Sequence, residues 1–339
     1  HADRPGGGGG GDRRGRAGLP QGLRPPHPDG LSMSDLRVTL AGLELQNPVL
    51  LASGTAAYGR ELADVMDLES LGGFVTKAVS LEPRVGAKAP RVADFPGGMI
   101  NAVGLANPGV DAVRAEDLPW IASHVRRPRV FVNVVGKEAH EFGEVVARLD
   151  DAPGFQGYEL NVSCPNVKQG GMEFGADPTA LAQVIGGARA ATKKPIVVKL
   201  SPTLARIGEV AQQAVDHGAD GITVINTIPG LVVDIERRRP VLGFGSGGVS
   251  GPGLLAVGVL ATWRVRQAVR VPIIGAGGVQ SADDLLQFLI AGASAVAIGT
   301  AGLADPKLPQ RIVRDLARWC DRHGIARLAD LTGTLEWPA

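Results

Sequence analysis

The sequence predicts an α/β fold in which eight parallel strands close into a barrel, and three observations lead to this prediction. Short apolar runs alternate with helical patterns from Met33 onward, as in parallel α/β proteins. Eight such runs follow one another, mostly at the spacing of one strand and one helix. Each run ends in polar residues or glycine, where barrels of this kind carry their active sites. A doubly wound sheet is the alternative, but eight parallel strands favour closure into a TIM barrel.

The elements of this barrel can be assigned in order along the chain. The predicted strands are Val49–Ala52, Phe74–Lys77, Val130–Val134, Tyr158–Val162, Ile196–Leu200, Ile222–Asn226, Pro272–Gly275 and Val296–Gly299. The predicted helices are about Glu61–Ser70, Ala139–Asp150, Pro178–Ala191, Ile207–His217, Gly253–Val269, Ala282–Ala291 and Pro309–His323. Two connections are longer than the rest, Lys77 to Val130 and Asn226 to Pro272, and we expect them to be loop insertions over the C-terminal face of the barrel. Segments Leu36–Leu40 and Leu43–Leu45 are expected to form a small N-terminal hairpin that closes the barrel's bottom.

Composition argues against several classes of function. The 339 residues carry a formal net charge of +1 and only 4% aromatic residues, so neither a nucleic-acid partner nor base stacking is expected. Two cysteines, Cys164 and Cys320, suit a reducing cytosol, and they are too few for an iron–sulfur cluster, which takes about four thiolates. No histidine pair has metal-ligand spacing, and no apolar run approaches the roughly 20 residues that cross a bilayer. The sequence therefore predicts a cytoplasmic protein that binds no metal and no membrane.

The chain is expected to contain one structured domain after a leader. Residues 1–32 are rich in glycine, arginine and proline and lack an apolar signal-peptide core, which predicts a disordered leader. Residues 33–339 are predicted to form the barrel domain, and Met33 is the expected natural start.

The strand ends gather lysine and asparagine side chains. The polar groups at these ends include Lys77, Asn133, Asn161, Lys199 and Asn226. Lysine supplies positive charge, and asparagine supplies a donor and an acceptor in one plane. Either lysine read alone is most often a surface residue, but both end apolar strands, which places them at the barrel mouth. This set suits a planar anionic cofactor and a planar, amide-bearing anionic substrate.

Glycines after the last two strands favour a phosphate site. The motif Gly275–Gly278 follows strand seven, and Gly299 and Thr300 follow strand eight. Backbone N–H groups approach a phosphate closely where side chains are absent, and the loops after strands seven and eight are the usual phosphate site in such barrels. The first motif alone is equally compatible with a tight turn, but the two together favour phosphate binding.

Cys164 is the candidate general base. An isolated cysteine is usually a small buried hydrophobe, but this one follows strand four among the polar residues Asn161, Ser163 and Asn166. A thiolate in such a place can accept a proton. Glu159 shares the strand face of Asn161, which predicts a buried, paired carboxylate whose partner the sequence does not identify.

Seven segments resemble the class 1 dihydroorotate dehydrogenases, in order, over about Val38 to Asp305. They are Glu159–Gly171 (ELNVSCPNVKQGG), Asn101–Gly109 (NAVGLANPG), Val198–Pro202 (VKLSP), Ile225–Thr227 (INT), Gly247–Pro252 (GGVSGP), Ile274–Gly278 (IGAGG) and Ala297–Thr300 (AIGT). The membrane-bound class 2 enzymes are similar in fold but use serine as the base, where this chain has cysteine.

The resemblance implies an FMN-dependent oxidation of (S)-dihydroorotate to orotate in pyrimidine biosynthesis, with Cys164 as the base. The implied FMN site consists of Ala52, Ser53, Lys77, Asn133, Asn161, Lys199, Ile225, Gly251, Gly277, Gly278, Gly299 and Thr300. The implied substrate site consists of Lys77, Asn101, Val103, Gly104, Leu105, Asn161, Asn166, Asn226 and Thr227.

The motifs SCPNVKQGG and GGVSGP resemble class 1B, whose members form dimers of the FMN subunit within a heterotetramer. The class 1B partner subunit carries FAD and a [2Fe–2S] cluster and passes electrons to NAD. Three alternatives stay open from the sequence: a class 1A enzyme that uses fumarate, a dihydropyrimidine dehydrogenase-like flavin reductase, and, more distantly, a non-redox barrel that binds a phosphorylated metabolite.

Overall fold

The fold is a closed barrel of eight parallel strands, as predicted. The computed structural model describes residues 34–163, 165–166 and 172–338. The barrel strands are β1 (Val49–Leu51), β2 (Gly73–Val75), β3 (Arg129–Val134), β4 (Gly157–Asn161), β5 (Ile196–Leu200), β6 (Gly221–Val224), β7 (Ile273–Ala276) and β8 (Ala295–Ile298). Each strand pairs in parallel with the next along the chain, and β8 pairs with β1. All eight predicted strands are therefore present, with ends shifted by up to two residues.

Helices cover the outside of the barrel. They span Arg60–Ala63, Val110–Ala112, Leu118–His124, Ala139–Leu149, Pro178–Ala191, Ile207–Asp216, Leu255–Ala268, Ala282–Ala291, Thr300–Ala304 and Leu308–His323, with a π-helical stretch at Val113–Asp117. The prediction of one helix over Glu61–Ser70 is wrong. The segment contains a short helix and a separate 3₁₀ turn, Leu68–Ser70, because the Asp67 side chain accepts a hydrogen bond from the backbone N–H of Glu69 and starts a new turn.

Successive side chains of each barrel strand point to opposite faces, so the strands carry one apolar layer outside the barrel and one inside it. Outward-facing residues such as Val49 and Leu51 of β1 pack with the helices in the larger core cluster. Inward-facing residues such as Leu50, Val75 and Phe131 form a second, smaller cluster inside the barrel. Its members from β7 and β8 are mostly small, namely Ile274, Ala276, Ala295 and Ala297. The barrel interior is thus filled by side chains, which are smallest on the side of β7 and β8.

An antiparallel hairpin closes the bottom of the barrel. Its strands are Val38–Leu40 and Leu43–Leu45. Val38, Leu40 and Leu45 are buried and belong to the same cluster as the inward-facing strand residues. The predicted N-terminal hairpin is therefore confirmed, with its first strand two residues shorter than expected.

The two long insertions meet in one small sheet. Its strands are Val92–Phe95 and Gly98–Asn101 from the first insertion, and Ile228–Gly230 and Gly247–Ser250 from the second. Asn101 pairs with Gly248, so the sheet joins the connection after β2 to the connection after β6. Both connections start at the C-terminal ends of their strands, which confirms that the insertions lie at that face. A further short ladder, Val233–Asp234 with Arg239–Pro240, extends the second insertion.

Neither a membrane span nor a metal cluster occurs in the part of the chain that the structure describes. No helix among these residues is both long and apolar enough to cross a bilayer. Within the same ranges, no group of three or more His, Cys, Asp or Glu side chains is arranged to hold a metal ion.

Candidate active site

A polar layer lies directly above the apolar layer of the barrel interior. Two residues after inward-facing Phe131 comes Asn133, and two residues after Val197 comes Lys199. Asn133 is fully buried and Lys199 is 7% exposed. A buried lysine on a barrel strand requires compensation for its lost hydration, so the groups around it define the site.

Glu159 on β4 is the centre of this layer. Its Oε1 accepts a hydrogen bond from Asn133 Nδ2 at 2.8 Å, and its Oε2 accepts one from Thr223 Oγ1 at 2.9 Å. Lys199 Nζ lies 3.9 Å from Oε1 in an ion pair whose two side chains are almost entirely buried. These three groups are the partners that the sequence left unidentified. Thr223 was not among the predicted site residues, although its inward position on β6, two residues before Ile225, was a usable signal.

Asn161 and Asn226 come together at the ends of β4 and β6. Asn226 Nδ2 donates to Asn161 Oδ1 at 3.4 Å, and Asn226 Oδ1 accepts from the backbone N–H of Thr227 at 2.8 Å. The backbone N–H of Asn226 donates to the carbonyl of Leu200 on β5. The adjacent Ile225 donates its backbone N–H to the carbonyl of Ala276, so this turn is fixed between β5 and β7.

The first insertion brings its predicted substrate residues to the same end. Asn101 Nδ2 donates to the carbonyl of Gly248 at 3.2 Å, and Gly248 lies against the Thr227 side chain. Val103 accepts a hydrogen bond from the backbone N–H of Ala87.

Gly104 and Leu105 both adopt positive φ angles in this segment. A Cβ at Gly104 would lie 2.5 Å from the backbone nitrogen of Ala87, so a side chain has no room there. The Leu105 carbonyl accepts a hydrogen bond from Asn107 Nδ2 at 2.8 Å, which stabilises the turn at Gly104 and Leu105.

The ends of β1 and β2 are joined through a serine. Ser53 Oγ donates to the carbonyl of Thr76 at 3.0 Å, and Ala52 donates its backbone N–H to Ile298 on β8. Lys77 is half-buried, and its backbone N–H donates to the Ala57 carbonyl. Its ammonium group makes no ion pair with any described residue, so it is available to an anionic ligand.

The loops after β7 and β8 form a glycine-rich rim, which consists of Gly277, Gly278, Gly299 and Thr300. Gly277 and Gly278 have positive φ, and a Cβ at Gly278 would lie 2.4 Å from the backbone nitrogen of Leu255. Thr300 Oγ1 donates to Ser250 Oγ at 2.7 Å, which attaches the loop after β8 to the insertion sheet beside Gly251. Ser250 was missed by the sequence analysis, although it lies within the GGVSGP motif.

The glycine-rich rim fits a phosphate group. Within the described residues, the backbone N–H groups of Gly278, Gly299 and Thr300 donate to no other protein group. Backbone donors without acceptors, at positions where side chains are absent, are the usual components of a phosphate site. A Cβ at Gly299 would contact only the Ala52 side chain, at 3.8 Å, so this part of the rim is open.

Asn133 fits a ligand with a hydrogen-bond donor. Its Oδ1 is buried and has no hydrogen-bond partner among the described residues, while its Nδ2 is bound to Glu159. An unpaired buried carbonyl costs about 1–3 kcal/mol, which a bound N–H group would recover. The members of the interior cluster from β7 and β8 are mostly small.

The segment that carries the predicted base is described only at its two ends. Pro165–Asn166 pairs with Met172–Glu173 in a two-residue antiparallel ladder, and Ser163 Oγ lies 3.5 Å from the Lys199 carbonyl. Cys164 itself lies outside the described residues, as does the side chain of Asn166. Cys320 is buried in the last helix, and burial raises the pKa of its thiol to about 11.

Comparison with known proteins places the chain in a family. A family model for dihydroorotate dehydrogenase matches residues 35–319. The dihydroorotate dehydrogenase B (NAD(+)) catalytic subunit of Pelobacter propionicus is 50% identical over 302 residues, which is 89% of this chain and 99% of the relative. The subunit of the same name from Geotalea uraniireducens is 46% identical over 301 residues, 89% of this chain and 98% of the relative. A Solibacter usitatus protein, provisionally named dihydroorotate dehydrogenase A (fumarate), is 46% identical over 302 residues, 89% of this chain and 99% of the relative. The chain belongs to the dihydroorotate dehydrogenase family.

Proposed function

We propose that this chain oxidises (S)-dihydroorotate to orotate with FMN as its resident cofactor, as a step of pyrimidine biosynthesis. The observation that carries the proposal is the polar layer on β3 to β6, in which Asn133, Lys199 and Thr223 surround a buried carboxylate. Family membership and the names of the relatives support the same activity.

FMN fits the rim on two independent grounds. Its phosphate matches the N–H groups of Gly278, Gly299 and Thr300, which donate to no described residue. Its flat ring offers an N–H donor to Asn133 Oδ1, which has no partner among the described residues. Ala52, Ser53, Lys77, Asn161, Lys199, Ile225, Gly251 and Gly277 complete the proposed FMN site. When bound, FMN supplies the acceptor for the hydride that leaves the substrate.

The substrate is proposed to bind between the polar layer and the insertion sheet. Asn101, Asn161, Asn226 and Thr227 offer the planar donors and acceptors that a dihydropyrimidine ring with amide groups requires. Lys77, which makes no ion pair with any residue that the structure describes, supplies the charge for the carboxylate. Val103, Gly104, Leu105 and Asn166 complete the proposed substrate site.

The chain's own contribution to the chemistry is proton removal and charge stabilisation. Cys164 is proposed to take the proton from C5 of dihydroorotate while the hydride leaves C6. Lys199, held by Glu159, stabilises the negative charge that develops on the reduced ring. The amides hold the ring so that both bonds are aligned, which can contribute several kcal/mol of barrier reduction.

The electron acceptor is proposed to be NAD, reached through a partner subunit with FAD and a [2Fe–2S] cluster. The relatives from Pelobacter and Geotalea are named as catalytic subunits of an NAD(+) enzyme, which supports NAD as acceptor, whereas the Solibacter relative carries the name of a fumarate enzyme. The fumarate reaction is therefore the second candidate.

The decisive experiment assays the purified chain with dihydroorotate and three acceptors: fumarate, NAD alone, and NAD with the co-purified partner. We expect turnover with NAD only when the partner is present. Turnover of the chain alone with fumarate as acceptor would favour the fumarate reaction instead. Oxidation of dihydrouracil but not dihydroorotate would contradict the proposed substrate, and protein without flavin absorbance would contradict the cofactor.

The role of Cys164 is tested in the same assay. Cys164→Ala is expected to stay yellow with bound FMN and to lose most turnover near neutral pH, by roughly 10²- to 10⁴-fold, because it lacks the general base. Cys320→Ala is the matched control, since Cys320 is buried in the last helix and is expected to leave turnover unchanged. Normal turnover in Cys164→Ala would refute the base assignment.

A further inference from the structure

Glu173 is a partly buried carboxyl group beside the predicted catalytic segment that the proposed chemistry does not use. Its Cα is paired in register with Pro165 in the ladder between Pro165–Asn166 and Met172–Glu173. Cys164 directly precedes Pro165 in the chain. Glu173 is therefore positioned across the ladder from the residue to which the proposed base is covalently attached.

The Glu173 side chain is bound to the end of β5. Ser201 Oγ donates to Oε1 of Glu173 at 3.1 Å, and Thr203 Oγ1 lies 3.5 Å from Oε2. The two hydroxyl oxygens are 2.6 Å apart, and the backbone N–H of Thr203 also donates to Ser201 Oγ. Ser201 is 2% exposed and follows Lys199 by two residues. The hydroxyl pair thus connects Glu173 to the strand that carries Lys199.

The residues that follow Glu173 are anchored independently of its carboxylate. Phe174 is fully buried and meets the ring of Phe142 edge to face, with ring centroids 5.4 Å apart. The backbone N–H of Gly175 donates to the Val162 carbonyl at 2.9 Å. Removal of the Glu173 carboxylate should therefore leave the domain folded and release mainly the ladder that precedes Phe174.

We propose that Glu173 is a positioning residue, which acts through Ser201 and Thr203 to hold the ladder at Pro165–Asn166, next to the proposed base in the chain, against the end of β5. This inference rests on the proposed function, because it needs Cys164 to act as the base. Burial raises the pKa of Glu173, and the hydroxyl donors of Ser201 and Thr203 oppose that rise. Those hydrogen bonds compensate the carboxylate for its partial loss of hydration.

The first test compares steady-state kinetics of the FMN-loaded enzyme for three variants at Glu173 and Thr203. Glu173→Ala and Thr203→Val are expected to lower kcat by roughly tenfold or more with KM for dihydroorotate little changed, because small displacements of a reacting group cost rate. Glu173→Gln keeps a carbonyl oxygen that accepts from Ser201, so it should recover most of the rate. Glu144→Ala, on the exposed face of the helix Ala139–Leu149, is the control and should match the wild type.

The second test does not depend on turnover. We expect the rate at which iodoacetamide alkylates Cys164 to change severalfold in Glu173→Ala and to stay near the wild-type rate in Glu173→Gln. The inference would be overturned if Glu173→Ala had the same kcat and the same alkylation rate as the wild type. It would also be overturned if Glu173→Ala and Glu173→Gln lost kcat equally and both had a lowered Tm. If the wild type does not oxidise dihydroorotate but Cys164 is alkylated at different rates in the wild type and in Glu173→Ala, the proposed function fails while the positioning role is supported.

Discussion

The buried pair formed by Glu159 and Lys199 allows a quantitative test of the polar layer. Lys199 Nζ is 3.9 Å from Glu159 Oε1, and the side chains are 9% and 2% exposed. At this distance, an effective dielectric constant of about 20 gives an attraction of about 4 kcal/mol. Removal of one partner leaves the other buried and unpaired, which typically costs about 3–5 kcal/mol.

We therefore predict that Glu159→Gln and Lys199→Met each lower the free energy of unfolding by about 3 kcal/mol or more. The Gln variant also disturbs the hydrogen bonds from Asn133 and Thr223, so its loss should be the larger of the two. The double variant should lose less than the sum of the single losses, because neither charge is then left alone. The measurement is urea unfolding followed by circular dichroism, with and without saturating FMN, arranged as a double-mutant cycle.

A matched control is the exposed pair Arg318–Asp315, whose atoms are closer, at 3.2 Å, but whose side chains are 69% and 52% exposed. Its coupling energy should be near zero because water screens the charges. If the Glu159 and Lys199 losses add to within about 0.5 kcal/mol, the two groups do not interact and the description of the polar layer is wrong.

Two further predictions concern the glycine-rich rim and the second cysteine. Gly278→Ala is expected to lower FMN affinity at least about tenfold, because φ is +76° and the new Cβ would meet the Leu255 backbone nitrogen at 2.4 Å. The control is Gly253→Ala, since Gly253 has open space around it. Equal flavin dissociation constants for the two variants would contradict the assignment of the rim. In Cys164→Ser, Ellman's reagent should label no thiol at pH 8 until urea unfolds the protein, because Cys320 is fully buried and its raised pKa of about 11 keeps the thiol protonated; rapid labelling of the folded variant would show that Cys320 is accessible.

The barrel was predictable because each strand is an apolar run with a polar or glycine end. Strand parity also placed Glu159 correctly on the interior face. The partners of Glu159 could not be read from the sequence, since Thr223 lies 64 residues away along the chain and Asn133 lies 26 away. Which inward positions face one another depends on the stagger between strands as the barrel closes, and the sequence pattern does not contain that stagger.

Helices in the insertions and short connections were harder to predict for local reasons. Leu118–His124 has Pro119 in its first turn, where proline is tolerated although it normally argues against a helix. In the segment after β1, apolar spacing predicted one helix, but the Asp67 side chain accepts a hydrogen bond from the backbone N–H of Glu69 and starts a separate 3₁₀ turn. Capping contacts of this kind are worth about 1 kcal/mol, enough to decide between short alternatives that the hydrophobic pattern does not distinguish.

Side-chain size and charge are distributed unevenly around the barrel, which is consistent with the two proposed ligands. The strands β3 to β6 carry the buried amides and charges, whereas β7 and β8 carry alanines below a glycine-rich rim with free N–H groups. In the proposed FMN site, the glycines would hold the phosphate and Asn133 Oδ1 would accept a hydrogen bond from the ring. The insertion sheet is attached to the loop after β8 by the hydrogen bond from Thr300 to Ser250, and within the sheet Asn101 is bonded to Gly248. Because Asn101 is bonded to Gly248, which lies against the Thr227 side chain, a change at Asn101 should affect affinity for the proposed substrate through Thr227 as well as by direct contact.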